Sequence, residues 1–134
     1  MKKVLACITP QTNGKRLIDK GYEIVDKNGG ELHILHVKQG NNIFDTEESS
    51  HLLEWLFSYG SERGGTVHAI LGQNVLKTIR RFIREEGITA VVLGESPANS
   101  GFSGENGVES FRRIMPYLEI HILEREENSV AEAL

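Results

Sequence analysis

Glu31-Leu32-His33-Ile34-Leu35-His36-Val37 is a seven-residue run in which neither alternating face is polar throughout. Leu32 and Ile34 share one face of an extended chain, and Leu35 and Val37 the other. A strand covered on both faces belongs to a parallel sheet with helices packed above and below it. The run is closed off upstream by Asn28-Gly29-Gly30, a strong stop signal. Working outward from it, Lys3–Ile8 reads as a first strand ended by Thr9 and Pro10, and Asn13 is placed to cap a helix after it. Leu17, Ile18, Gly21, Ile24 and Val25 then recur at helical spacing. A glycine inside a helix costs about 1 kcal/mol, so Gly21 marks a place where the helix lies close against the sheet.

Downstream, Asp45 and Glu48 have capping-box spacing ahead of a helix bearing Leu52, Leu53, Leu56 and Phe57, with Trp55 and Tyr59 on a neighbouring stripe. Gly64-Gly65 ends it. Thr66–Leu71 is a third strand, closed by Gly72. Asn74 can cap a third helix with Leu76, Ile79, Phe82 and Ile83 inward, and Gly87 stops it. Ile88–Leu93 is a fourth, wholly buried strand. A loop of Gly, Ser, Asn and Pro runs from Gly94 to Glu105. Asn106 and Glu109 then open a short helix with Val108, Phe111 and Met115, which Pro116 ends. Tyr117–Leu123 alternates Leu118, Ile120 and Ile122 against Tyr117, Glu119 and His121 as a fifth strand.

The order is βαβαβαβαβ. Connections of helix length demand parallel neighbours and right-handed crossovers. The expected fold is α/β, a five-stranded parallel doubly wound open sheet with helices on both faces. It forms one domain over residues 1–124, with a charged tail over 125–134. The 134 residues are 39% hydrophobic and 25% charged, which excludes wholesale disorder. With 15 Lys and Arg against 19 Asp and Glu, the net charge is −4, a poor match to bulk DNA binding. Cys7 is a lone cysteine, so neither an intrachain disulfide nor a multi-cysteine zinc site is available. No apolar stretch approaches the roughly 20 residues of a membrane span. The apolar run behind Met1-Lys2-Lys3 is only Val4–Ile8, too short for a signal peptide, and a cytoplasmic location is expected.

Doubly wound sheets bind ligands beyond the carboxyl ends of their strands, where the strand order reverses. The loops Thr9–Asn13, Val37–Phe44 and Gly94–Glu105 are therefore the ones to inspect. Gly94-Glu-Ser-Pro-Ala-Asn-Ser-Gly101-Phe-Ser-Gly104-Glu-Asn-Gly107 leaves an apolar strand and enters a helix. Its glycines let backbone N–H groups reach an anion; Ser96, Ser100 and Ser103 add hydroxyls. It is neither a Walker loop nor a dinucleotide fingerprint. His33 and His36 are three apart on a strand and point to opposite faces, so they make no metal pair. His68 can neighbour either, and satisfied core or edge histidines are expected. Lys77, Arg80, Arg81 and Arg84 put a basic stripe on the third helix, a solvated face or a site for an acidic or phosphorylated protein partner. Gly-x-Ser-x-Gly is absent, and no catalytic constellation stands out.

The chain resembles the universal stress protein family from Lys3 to Glu124. Val4-Leu-Ala-Cys-Ile-Thr-Pro with Lys15-Arg-Leu-Ile, Glu31–Val37 and Val91-Val-Leu-Gly94 carry the likeness. Cys7-Ile-Thr-Pro-Gln with Arg16-Leu-Ile, Leu93-Gly-Glu-Ser-Pro97 and Glu119-Ile-His-Ile resemble more closely the stress-protein-like domain of Kdp potassium-sensor histidine kinases. The resemblance implies strand order 3-2-1-4-5 and a homodimer through Tyr117–Leu123. It also implies a non-catalytic stress or signalling module that requires no cofactor, with ATP or another adenine nucleotide as the ligand of some members. Their motif is Gly-x2-Gly-x9-Gly-Ser/Thr. Gly94 and Gly107 match its first and third glycines, Pro97 replaces the second, and Val108 replaces the hydroxyl residue. Pro has no N–H and Val no hydroxyl to offer a phosphate. Thr9 stands where binders place an aspartate, and Val37 where a residue packs on the base. The candidate set is Thr9, Pro10, Val37, Gly94, Ser96, Gly101, Gly104, Gly107 and Val108. The competing readings are a slow nucleotide-dependent ATPase, for which Glu95 and Glu105 are the local carboxylates, and a flavodoxin-like electron carrier, for which Phe44 and Phe102 are the nearby aromatics.

Overall fold

Glu31–Val37 lies where a strand buried on both faces must, inside a parallel sheet. The computed structural model describes residues 2–8, 14–38, 47–94 and 112–123. Its elements are β1 (Lys2–Cys7), α1 (Gly14–Asn28), β2 (Gly30–Lys38), α2 (Glu47–Glu62), β3 (Thr66–Leu71), α3 (Val75–Glu86), β4 (Ala90–Gly94) and β5 (Glu119–Leu123). Residues 112–114 add a helical turn. The strands form one parallel sheet in the order β3-β2-β1-β4-β5, the doubly wound arrangement expected.

Two apolar cores sandwich the sheet. On one face Val4, Ala6, Ile8, Leu32, Ile34, Ala90 and Val92 meet Leu17, Ile18 and Ile24 of α1 and Leu56 of α2. On the other, Leu5, Leu35, Val91 and Leu93 meet Ile79, Phe82 and Ile83 of α3, with Met115 and Leu118. Alternate residues of β1 thus serve opposite cores, as the strand period of two requires. Gly21 lets α1 approach: a Cβ there would sit 2.7 Å from Leu32 Cδ1 and 3.6 Å from Val4 Cγ1. Asn74 caps α3, its side chain accepting from the Lys77 N–H at 2.9 Å. At the other end the Gly87 N–H donates to Ile83.

The ends of the elements shift slightly from the sequence expectation. β5 begins at Glu119 rather than Tyr117, because the Leu118 N–H turns back onto Met115 at 3.0 Å while Glu119 N–H bonds Thr89. Its apolar row also runs off the core. Leu118 is buried, Ile120 is half-buried, and Ile122 is exposed at the margin of the sheet. Glu48 falls in the first turn of α2; Asn13, Asp45, Asn106 and Glu109, read with it as helix caps, lie outside the described residues.

Candidate functional site

The sheet's strand order reverses between β1 and β4. Ile8, just after β1, packs on the α1 face. Of the described residues ahead of β5, Met115 and Leu118 pack on the α3 face. The carboxyl ends of these two strands are therefore the usual ligand position in such sheets. Gly94 ends β4 there, and Ile8 follows the last residue of β1. Val37 lies one strand further, half-buried on the α3 face and paired in register with Ile70.

Gly94 is the last residue of β4 and faces the first turn of α1. A Cβ on it would lie 3.6 and 3.8 Å from the two Leu17 methyls, an ordinary contact distance. Packing therefore leaves room for a side chain at 94. The first turn of α1 carries no acidic residue, so its N–H groups and positive dipole end are not offset by a local carboxylate. Of the candidate nucleotide residues, the structure places Val37 and Gly94 at this end of the sheet. Thr9, Pro10, Ser96, Gly101, Gly104, Gly107 and Val108 lie outside the described residues.

A contact that sequence reasoning passed over holds the carboxyl end of β1. His36 is buried, and its Nδ1 stands 3.1 Å from the carbonyl oxygen of Ile8. A carbonyl only accepts, so Nδ1 carries the proton. Ile8 N–H in turn donates to Leu35 at 2.9 Å. The end of β1 is thus pinned from β2 by one backbone and one imidazole bond. The signal available in the sequence was an in-strand histidine on an otherwise apolar face, which needs a partner when buried.

Cys7 adjoins Ile8 and packs against the α3-side core, where burial pushes its thiol up to about 12. It is a thiol, not a thiolate, at neutral pH. Among the described residues no group of three or more His, Cys, Asp or Glu is arranged to hold a metal ion.

The other polar residues fall elsewhere. His33 meets His68, with Nδ1 and Nε2 3.1 Å apart, on the α3 face. The register that sets Leu35 opposite His68 decides which of the two strand histidines is the neighbour. On the opposite layer, Trp55 stacks on Tyr59 at 5.5 Å, and the Arg63 guanidinium lies 3.5 Å over the Tyr59 ring. The Tyr59 hydroxyl donates to Asp19 of α1. This cluster ties α2 to α1, and its signal was the i,i+4 spacing of Trp55, Tyr59 and Arg63. Lys77, Arg81 and Arg84 are exposed on α3, as a solvated face requires. Arg80 is half-buried, and its Nε is buried without a hydrogen-bond partner.

No protein-family model matches the chain. In sequence it is similar to the sensor protein KdpD of Mycobacterium tuberculosis, with 25% identity over 95 residues. That match takes in 71% of the chain but only 11% of the sensor's length. Among solved structures, a universal stress protein from Archaeoglobus fulgidus DSM 4304 is 24% identical with a TM-score of 0.63, over 95% of this chain and 45% of that one. A universal stress protein from Archaeoglobus fulgidus in complex with dAMP gives 19% and 0.58, over 92% and 96%. A universal stress protein in complex with cAMP gives 14% and 0.62, over 91% and 95%. Five parallel strands in the order 3-2-1-4-5, with a helical layer on each face and these neighbours, give the chain the fold of the universal stress proteins.

Proposed function

We propose that the chain is a non-catalytic regulatory module that works in the cytoplasm and takes an adenine nucleotide at the carboxyl ends of β1 and β4. The observation that carries this reading is the reversal of strand order between β1 and β4, with Gly94 facing an acid-free first turn of α1 and Val37 one strand away. In the reading, phosphates sit over Gly94 and the glycines Gly101, Gly104 and Gly107, with Ser96 adding a hydroxyl; the base rests on Val37. Thr9, Pro10 and Val108 border the site. The dAMP and cAMP held by two proteins of the same fold support the ligand class. The protonated thiol of Cys7 fits binding without turnover.

Isothermal titration with ATP, AMP and cAMP in magnesium tests the reading. Micromolar binding that one nucleotide competes away from another is expected, with loss of affinity in Gly107→Val. An absence of heat at millimolar nucleotide would remove the ligand from the proposal.

The same module pairs with a second copy through β5. Among the described residues that strand has a neighbour on one side alone, β4, and Ile114, Tyr117 and Ile122 around it are exposed at 50%, 65% and 39%. An unpaired strand edge flanked by apolar side chains is a surface that a soluble protein covers.

A further inference from the structure

The far edge of the sheet is fastened by two imidazoles. His33 on β2 is 6% exposed, and His68 on β3 is half-buried. Their nitrogens, Nδ1 and Nε2, stand 3.1 Å apart, and the rings stack with centroids 5.3 Å apart and planes 24° from parallel. Phe82 of α3 meets both rings edge to face, at 6.1 Å from His33 and 4.7 Å from His68. The second nitrogen of His33, Nε2, lies 3.1 Å from Glu31 Oε1. The pair therefore joins β2, β3 and α3 at one point.

Hydrogen-bond direction fixes the protons. Two imidazole nitrogens at this distance hold one proton between them: one N–H donates and the other nitrogen accepts. Ionised Glu31 only accepts, so neutral His33 carries its proton on Nε2 and offers a bare Nδ1. His68 Nε2–H donates to it. A first added proton, on either ring, still leaves a single hydrogen between the facing nitrogens, and the bond stays intact. A second puts a hydrogen on both His33 Nδ1 and His68 Nε2. Two cationic rings then point N–H groups at each other, and the bond is lost.

We propose that the His33–His68 pair is an acid-operated latch: it clips β3 and α3 to β2 at neutral pH and releases them when the second proton reaches the pair. The charged groups facing it are few. From β2 there is Glu31, and from α3 there is Glu86, whose negative charge favours protonated His68. Lys3 of β1 is engaged with the Glu86 carbonyl at 3.2 Å. β3 itself brings no charged group besides His68. Burial and the charge of His33 outweigh Glu86, so the pKa of His68 lies below the ordinary imidazole value. Folded His68 thus binds fewer protons than a free histidine, and its contribution to stability is lost as pH falls below about 6.5. Release acts next to the proposed nucleotide site, since Val37 pairs with Ile70 of β3.

The test is a pH titration of the intact chain from about pH 7.5 to about pH 5, the imidazole range. Nitrogen NMR of the rings is read beside amide-exchange protection of every strand. At the upper pH, His33 Nδ1 is expected bare, with His33 Nε2 protonated. Arrival of the second added proton, when His33 Nδ1 and His68 Nε2 both carry hydrogen, should coincide with a fall of about tenfold or more in protection of the β3 amides bonded to β2, while β1 and β4 stay protected. In His68→Gln, whose amide donates but does not titrate, the pH response of β3 should vanish. The proposal is overturned if His33 Nδ1 and His68 Nε2 both carry hydrogen without loosening β3, if β1 and β4 open in step with β3, or if the variant keeps the wild-type response. The ring titration of the wild-type chain decides the matter even if the variant fails to fold.

Discussion

At Gly30 the backbone allows one residue. Its φ is 138°, and a Cβ would lie 1.8 Å from the carbonyl oxygen of Lys2. That oxygen is backbone and cannot swing aside. Gly30→Ala is therefore expected to destabilise the chain by at least about 2 kcal/mol in denaturant unfolding. A change under half of that would mean that β1 and β2 pair differently at their start. Asn28-Gly29-Gly30 was legible as a stop, but the reason Gly30 itself is needed was not. It depends on Lys2, 28 positions earlier, lying opposite Gly30 in the β1–β2 register. The same limit applies to His36. Its burial was open to sequence reasoning, whereas its partner, the Ile8 carbonyl, is set by strand order.

Among elements, β5 shows how an edge strand is held. Glu119 accepts from Lys2 Nζ of β1 at 2.6 Å and pairs with His121 at 2.5 Å, spanning β4 at its N-terminal end. Lys2 first, and then His121, hold the Glu119 carboxyl below its ordinary value of 4.5. A folded pKa that is depressed contributes stability above the unfolded pKa, lost as pH falls through the folded one. Thermal unfolding below about pH 4.5 should therefore lose less stability with falling pH in Glu119→Gln than in the wild type. Parallel acid limbs in the two proteins would show that the pair contributes nothing. The element boundaries were mostly legible, because caps, glycines and period agree along this chain. Thr66–Leu71 and the Asn74–Gly87 frame of α3 match residue for residue. β5 was read two residues long, since an apolar-polar alternation continues through Tyr117 and Leu118 while the ladder to β4 begins at Glu119.

For the whole molecule, alternation of short buried strands with helices was enough to give the parallel sheet. The order 3-2-1-4-5 came from family resemblance and agrees with the structure. The site was legible in part. The position of Gly94 at the end of β4 follows from the strand reading, but the ligand position depends on where the strand order reverses. Two copies meeting at β5 would bury Tyr117 and Ile122, so Tyr117→Glu should halve the mass seen by analytical ultracentrifugation. Equal masses for variant and wild type would remove that face from the dimer. The nucleotide site is the central claim, and amide chemical shifts followed during titration with AMP test it most directly. The account predicts saturable shifts at Ile8, Val37 and Gly94, with Lys2, Gly30 and Thr89 at the opposite end of the strands unmoved. Shifts confined to that opposite end, or none at millimolar AMP, would contradict it.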